Sequence, residues 1–455
     1  MGSIWAVARN TVKQALRMRV AIVFIVMLMI LLPTLGFSIT GDQTLKGRLQ
    51  TFVSYGLSLT GYLLCLLTII ISIYTVTNDI KERQIYTVIT KPIRRHEFIL
   101  GKLLGVILLD FALLVLFSVI IYAFTINIPR LYNATDDELI QVNNEFFTAR
   151  KALTIPEIDV SQEVLERYEE LKKKGMISSD YTSEEQEQII AELTTQAQLE
   201  KRAANLGESL IWDFDNVKPR SETMFIRFKY GTAVEPGDNQ VFGRWFAGDG
   251  RFVKYGEKPE KMILDSIFKH SIGTFHEIEF PSEVIPDNGR LTIAFQNPAS
   301  YNETAVIFPP DGLEILYKTD TFTGNFIRSV LLIFCRLIFL ACMGTLTATF
   351  VSFPVAMLMC LVMFFIATIS GFIIESFNAL GENLSILYSY TLKWVVRLLP
   401  QFDKYNPTDF LVQAKFLSWT VLAQCVVVMV CIKSFLLIAL SFIIFSYREI
   451  AKIIV

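Results

Sequence analysis

Six long apolar stretches divide the chain, and a polar middle third separates the first three from the last three. They cover Val20–Ile39, Leu57–Val76, Leu103–Ile126, Ser329–Ala348, Pro354–Ile374 and about Val421–Phe445. About 20 apolar residues are needed for a helix to cross a hydrocarbon core of about 30 Å. Because a helix also satisfies its own backbone hydrogen bonds in lipid, the pattern predicts an α-helical membrane protein with six transmembrane helices.

The polar middle third, residues 128–325, has the length of one domain. Its first part, 128–207, is charged and favours helices over Ser161–Lys174 and Thr182–Leu206, which predicts a helical hairpin. Its second part, 208–325, contains short runs of β-forming residues separated by turns rich in Pro, Gly, Asn and Asp. The whole segment is therefore predicted to be an α+β domain whose β part is an antiparallel sandwich of the jelly-roll type.

The role of this domain stays open at the level of sequence. Five aromatic residues at strand spacing are expected to lie in its core, with a ligand-binding platform as the alternative: Trp212, Phe214, Trp245, Phe246 and Phe252. The helical hairpin is either a solvated spacer or an arm that binds a partner. An extracytoplasmic protein or a glycan are both possible ligands, but fold type alone does not choose between them.

The distribution of charge predicts the topology. Residues 128–325 hold 34 of the 44 acidic residues but only 21 of the 42 basic ones. The short loop between the second and third apolar stretches carries six basic residues: Lys81, Arg83, Lys91, Arg94, Arg95 and Lys102. Short loops rich in Lys and Arg stay in the cytoplasm. We therefore expect a multi-pass protein of the cytoplasmic membrane, with both termini cytoplasmic and residues 128–325 outside.

Few residues are suited to catalysis or metal binding. The chain has six cysteines, all in or beside the apolar stretches, and three histidines. It contains no phosphate-binding loop of the G-x-x-x-x-G-K-[ST] type, no nucleophile elbow and no H-E-x-x-H pair. We expect no metal site, no cofactor, no bound nucleic acid and no enzymatic activity on this chain.

The loop over residues 78–102 has a pattern of its own. Ile80, Ile85, Val88 and Ile89 are apolar among charged neighbours, which predicts a short amphipathic helix at the membrane face. Pro92 ends this helix, and a basic group follows it before the chain enters the next apolar stretch.

This passage resembles the cytoplasmic loop of ABC-2 type permeases, especially the subgroup of the nitrous oxide reductase maturation permease. The matching residues are Glu82, Lys91-Pro92, Arg94-Arg95 and Gly101-Lys102, whereas Gln84-Ile85 stands where many members have Gly-Thr. The order of elements around the loop is also similar, namely an amphipathic segment Trp5–Arg19 before the first span, a tight turn Ser352–Ala356, and the motifs Leu399–Asp403 and Arg448-Glu449. The resemblance covers the membrane part and not the middle domain.

The resemblance implies a mechanism and partners. In this family the loop helix docks into a cleft of a separate ATPase, so ATP and magnesium would bind to two partner ATPase subunits and not to this chain. A second permease copy, identical or homologous, and membrane lipids complete the expected assembly. The residues implied in ATPase coupling are Asp79, Lys81, Glu82, Arg83, Tyr86, Lys91, Pro92, Arg94, Arg95 and Lys102. The alternative is that Lys91, Arg94 and Arg95 only contact lipid headgroups.

Three charged residues fall inside apolar stretches and are functional candidates, because charges in a membrane are costly. They are Asp110, Arg336 and Lys433. Asp110 and Lys433 are expected to form a structural ion pair, with a role in the export path as the alternative, and Arg336 can reach outward to the interface.

The expected organisation is a cytoplasmic N-terminus with three spans (1–127), the outer domain (128–325), and three further spans (326–455) with an outer interfacial segment over 375–420. The expected function is export of an unidentified substrate, coupled to ATP hydrolysis by partner subunits. Two alternatives remain open. One is mechanotransmission, in which the outer domain is moved to regulate a partner and nothing crosses the membrane. The other is a purely structural anchor for the β domain.

Overall fold

The computed structural model describes residues 2–39, 44–81, 94–155, 159–174, 183–215, 217, 222–251, 264–378 and 400–447. These residues form two compact units. The first comprises Met1–Ala149 and Asp320–Val455, and the second comprises Arg150–Thr319. The predicted division at 128 and 325 therefore lies about 20 residues before the second unit begins and a few residues after it ends.

Among the residues that the structure describes, five helices are long and apolar enough to cross a membrane, so the chain is a multi-pass α-helical membrane protein. They are α2 (Arg19–Ser38), α3 (Leu45–Lys81), α4 (Arg95–Leu131), α8 (Phe322–Phe350) and the segment Trp419–Tyr447. The last segment consists of α12 (Trp419–Cys425), a π-helical stretch (Val426–Ser434) and α13 (Phe435–Tyr447).

The fifth span was predicted to be a single helix over Pro354–Ile374, and the structure differs from this prediction. Its apolar residues form α9 (Phe353–Thr368), which has 16 residues and ends where α10 (Ser370–Asn378) begins. A helix of 16 residues is about 24 Å long, which is less than the hydrocarbon thickness. The Ser370 hydroxyl at this break donates to Asp403 Oδ1 at 2.9 Å. The described residues therefore contain five long spans and one short apolar helix, and not six equivalent spans.

The remaining helices of the first unit are short or amphipathic. They are α1 (Gly2–Leu16), α5 (Asp136–Glu145) and α11 (Pro407–Val412). One apolar core joins the long helices, with α3 and α8 at its centre, where two thirds of the membrane-length window is buried. In α2 and in Trp419–Tyr447 only 22% and 17% of that window is buried, so these two helices lie at the periphery of the bundle.

The second unit contains the predicted helical hairpin. It consists of α6 (Ser161–Lys173) and α7 (Ser183–Glu200), which pack through Val160, Val164 and Ala197. Arg167 joins the two helices by contacting Glu163 at 2.8 Å and Glu200 at 2.6 Å. Thr182, the expected first residue of the second helix, lies outside the described residues.

Eleven strands are described. They are β1 (Thr148–Thr154), β2 (Ala203–Ala204), β3 (Ser209–Phe214), β4 (Thr223–Phe228), β5 (Gly231–Thr232), β6 (Gln240–Gly248), β7 (Leu264–Ser271), β8 (His276–Pro281), β9 (Leu291–Gln296), β10 (Val306–Ile307) and β11 (Leu313–Thr321). Two sheets have four strands, in the orders β1-β11-β4-β8 and β3-β9-β6-β7, and a small third sheet has the order β2-β10-β5. The pairs β4–β8, β4–β11, β3–β9, β6–β9 and β6–β7 are all antiparallel.

A single apolar core includes side chains from both four-stranded sheets, among them Ile226 and Phe280 of one sheet and Trp245 and Phe295 of the other. Trp212, Phe214 and Trp245 belong to it, and Phe246 is also buried. Four of the five aromatic residues predicted for the core are thus buried. The fifth, Phe252, lies outside the described residues.

One expectation about a segment is corrected, and a second falls outside the described residues. Residues 128–207 are not purely helical, because Thr148–Thr154 forms an edge strand beside β11 and Ala203–Ala204 pairs with β10. Strand pairing determines their structure, and local helix propensity does not. Within the predicted interfacial segment 375–420, the structure describes only the end of α10, residues 400–406, α11 and the approach to α12. The expected amphipathic helix over Ser385–Leu399 lies wholly outside the described residues.

Candidate functional site

The two ends of the predicted coupling loop meet in a buried ion pair. Asp79 is in the last turn of α3 and Lys102 is in the second turn of α4, on either side of the loop. Lys102 Nζ lies 2.6 Å from Asp79 Oδ2, and the two side chains are only 1% and 6% exposed. A buried charge needs a partner to offset its loss of hydration, so this contact joins α3 to α4 where the loop begins and ends.

Gln14 forms hydrogen bonds with both charged residues of this ion pair. Gln14 of α1 donates from Nε2 to Asp79 Oδ1 at 3.2 Å and accepts from Lys102 Nζ at 3.0 Å through Oε1. Because the amide both donates and accepts, it contacts both charges at once. We call Gln14, Asp79 and Lys102 the Lys102 network. It connects three helices, one of which is the amphipathic N-terminal helix.

Two glycines bring α1 close to α4. A Cβ atom on Gly101 would lie 2.6 Å from Val7 Cβ, and one on Gly105 would lie 2.6 Å from Thr11 Cβ and 2.7 Å from the Ala8 carbonyl oxygen. Small residues four apart on a helix allow another helix to approach closely. The Gly101-Lys102 motif thus serves packing through its glycine and electrostatics through its lysine.

The start of α4 also contacts the end of the last helix. Arg95 donates from Nη1 to the carbonyl oxygens of Phe445 at 3.3 Å and Ser446 at 2.9 Å. The arginine guanidinium has several N–H donors and can bind two carbonyl groups at once. The rings of Phe98 and Phe445 stack beside this contact, with centroids 6.2 Å apart. The first turns of α4 are therefore held against α1, α3 and α13.

No protein-family model, curated protein or solved structure matches this chain. The arrangement of its own residues is therefore the only structural basis for a functional proposal.

The structure brings together only part of the predicted coupling set. Asp79, Lys102 and Arg95 contribute to the junction described above. Lys81 is exposed at the end of α3, and the Arg94 amide donates to Glu97 Oε2 at 3.3 Å just before α4. The others lie outside the described residues: Glu82, Arg83, Tyr86, Lys91 and Pro92.

The three intramembrane charges do not form the expected arrangement. Asp110 is 1% exposed, and neither of its carboxylate oxygens has a hydrogen-bond partner, so the predicted pair with Lys433 is not formed. Lys433 lies in the π-helical stretch of the last helix, which is largely peripheral. Arg336 donates to the carbonyl oxygens of Phe402 at 2.9 Å and Tyr405 at 3.5 Å, which belong to the segment 375–420 predicted to lie at the outer interface.

Two features were missed at the level of sequence. Gln14 has no charge to draw attention to it, although it lies in the amphipathic α1 that was expected at the interface. Arg328 of α8 is 2% exposed and contacts Asp320 at 2.7 Å, eight residues earlier in the chain. The pairing could have been anticipated because an acidic residue directly precedes an N-cap threonine, Thr321, at the start of the helix.

Proposed function

We propose that this chain is the membrane-spanning subunit of an ABC-type exporter of the ABC-2 class, driven by two separate ATPase subunits and paired with a second permease copy. It would lie in the cytoplasmic membrane with both termini inside. Residues 128–325 would face outward. The proposal combines the resemblance of the loop residues with the geometry at the loop's two ends.

The observation that carries the proposal is the Lys102 network. A loop that transmits the motion of an ATPase needs the helices at its two ends to move together as a rigid body. Here both ends of the loop are joined by a buried ion pair, and the same turns contact α1 and the end of α13. A force applied between Asp79 and Lys102 would therefore reach four helices. Charges that served only membrane orientation would not need to be buried and paired.

The β domain supports a role outside the membrane. Numbered in chain order, its two four-stranded sheets have the arrangement β1-β11-β4-β8 and β3-β9-β6-β7. Successive long strands alternate between the two sheets except for β6 and β7, which pair within one sheet, and this order is typical of a jelly roll, a fold common in lectins and capsid proteins. We propose that this domain receives or releases cargo, and that a glycan or a protein is its ligand.

The proposal is tested by ATP hydrolysis that co-purifies with the chain. The tagged full-length protein is solubilised from its native membrane, and magnesium-dependent ATPase activity is measured in the eluate. We expect activity with the unaltered chain. The double variant Glu82→Ala/Arg94→Ala should lose at least 90% of it, because both side chains are implied in ATPase contact.

A matched control removes one acidic and one basic residue elsewhere. Glu169→Ala/Lys172→Ala on the exposed face of α6 should leave the co-purified activity unchanged. Full activity of the Glu82→Ala/Arg94→Ala variant would reject docking through this loop. Absence of any co-purifying ATPase from the unaltered chain would reject the whole proposal.

Mechanotransmission is the second candidate, favoured by the size and separate core of the β domain. Both candidates predict an ATPase partner, so substrate movement distinguishes them. Inverted vesicles that contain the full assembly should accumulate a candidate substrate with ATP if the chain exports it. If ATP hydrolysis proceeds without flux and changes protease accessibility of the β domain, force transmission is favoured.

A further inference from the structure

A cavity of about 800 Å³ opens at the same end of the helix bundle as the predicted coupling loop. It lies between the start of α2, the end of α3, the end of α8 and the start of α9. It shares no residue with the Lys102 network.

The rim of this cavity is cationic. Arg17, Arg19 and Lys81 line it and are exposed, and no acidic residue is among its described lining residues. Asp79, two residues before Lys81 in α3, is paired with Lys102. Three cations that surround a concave space favour an anion there, because their fields add where water is partly excluded.

The inner wall of the cavity is apolar. On α3, Ile70, Tyr74, Thr77 and Lys81 are spaced so that they lie along one face of the helix. The side chains along this face are in turn aliphatic, aromatic, a hydroxyl and an ammonium group, and they span 11 residues or about 16 Å. On other helices the wall includes the partly exposed side chains of Val20, Phe350 and Phe353.

Two helix N-termini also border the rim. The 20-residue α2 begins at Arg19 and the 16-residue α9 begins at Phe353, and neither has a side-chain hydrogen bond from its N-cap residue. The amide groups in the first turn of a helix favour negative charge nearby. This effect reinforces the three cations and would not define a site without them.

We propose that this cavity binds an anionic phospholipid, with the phosphate at Arg17, Arg19 and Lys81 and an acyl chain along the wall from Tyr74 to Ile70. The cationic rim complements a phosphate, and the apolar wall provides the contact surface that a soluble phosphate compound would leave unused. The site lies in the membrane bundle and does not depend on the proposed function.

The test is lipid binding to the purified full-length protein in neutral detergent, followed by native mass spectrometry or by titration with fluorescent phosphatidylglycerol. The unaltered protein should bind phosphatidylglycerol in preference to phosphatidylcholine. The variant Arg17→Gln/Lys81→Gln should bind phosphatidylglycerol about 30-fold more weakly, given the usual contribution of two basic residues to anionic lipid binding.

The matched control is Arg9→Gln/Lys13→Gln, which removes two exposed basic residues of α1 that do not line the cavity. It should change affinity less than 3-fold. Equal losses in the two variants would overturn the site, because general attraction would then explain binding. A second arm adds glycerol phosphate as competitor. If glycerol phosphate binds with the same affinity as phosphatidylglycerol, the lipid assignment is overturned and the ligand is a soluble phosphate compound. Elution volume and melting temperature verify that each variant is folded.

Discussion

At the residue scale, two charged residues that were expected to contact an ATPase form an ion pair with each other. Lys102 and Asp79 were expected to face an ATPase, yet they are buried and share Gln14. The resemblance of the loop to that of ABC-2 type permeases singled out both residues at the level of sequence. It could not show the pairing, since more than 20 residues separate the two charges and the amide comes from a third helix.

Removing one charge of this pair should be costly. Lys102→Met leaves Asp79 buried without its cation, and we expect a loss of about 3–5 kcal/mol of unfolding free energy. Asp79→Asn/Lys102→Met leaves no charge and should be less destabilised than the sum of the single variants. Chemical denaturation in detergent measures the unfolding free energies of the unaltered protein, the two single variants and the double variant.

The exposed pair on the helical hairpin provides a reference. Arg167→Gln, which removes a cation 33% exposed, should reduce the unfolding free energy far less than Lys102→Met does, because solvent screens the exposed pair. Additive effects of Asp79→Asn and Lys102→Met would contradict the buried pair.

A histidine pair in the β domain gives a dependence on pH. The rings of His270 and His276 lie 4.6 Å apart, and His270 Nδ1 is buried without a hydrogen-bond partner. Burial, followed by the charge of His276, lowers the pKa of His270 from 6.5 to about 4. Between these values the unfolded chain binds a proton that the folded domain does not, so stability falls as pH falls through this window.

This dependence can be followed by the fluorescence of Trp245, which lies in the same core. The melting temperature of the β domain should decrease between pH 6.5 and 4, and His270→Gln should make this decrease shallower. His96→Gln, outside the β domain, is the control and should leave it unchanged. An identical pH profile for His270→Gln would show that another group is responsible.

At the element scale, the length of the apolar stretches predicted the long helices well and their ends less well. Residues 354–374 were expected to form one span because nearly all are apolar, but the helix ends at Thr368, where Ser370 and Asp403 interact from distant parts of the sequence. The strand Thr148–Thr154 was missed for a similar reason, since its partner β11 follows more than 150 residues later. Long-range contacts decide such elements, and a local pattern does not contain them.

The contact of α1 with α4 gives a prediction at this scale. Gly105→Val should displace α1, because even a Cβ atom would overlap Thr11 and the Ala8 carbonyl group. We expect faster hydrogen exchange throughout α1 and loss of the Gln14 contacts. Gly61→Ala in α3 is the matched control, since a Cβ there has no atom within 4 Å. Unchanged exchange of α1 in Gly105→Val would contradict the tight packing.

At the scale of the whole molecule, an apolar helical unit and an antiparallel β unit are each built around a core of their own. Composition and the clustering of apolar residues were sufficient to predict this division, because a chain must bury its apolar surface in lipid or in a domain core. The proposed function implies an orientation in the membrane. The end of the bundle that contains the Lys102 network would lie on the side of the ATP-containing compartment, and residues 128–325 would lie on the opposite side.

Labelling of single cysteines in intact cells tests this orientation most directly. In a background in which the exposed Cys431 is replaced by serine, Arg94→Cys and the exposed-helix variant Thr195→Cys are treated with a membrane-impermeant maleimide. Thr195→Cys should react in intact cells, and Arg94→Cys should react only after the membrane is permeabilised. Reaction of Arg94→Cys in intact cells, with Thr195→Cys protected, would place the loop outside and contradict coupling to a cytoplasmic ATPase.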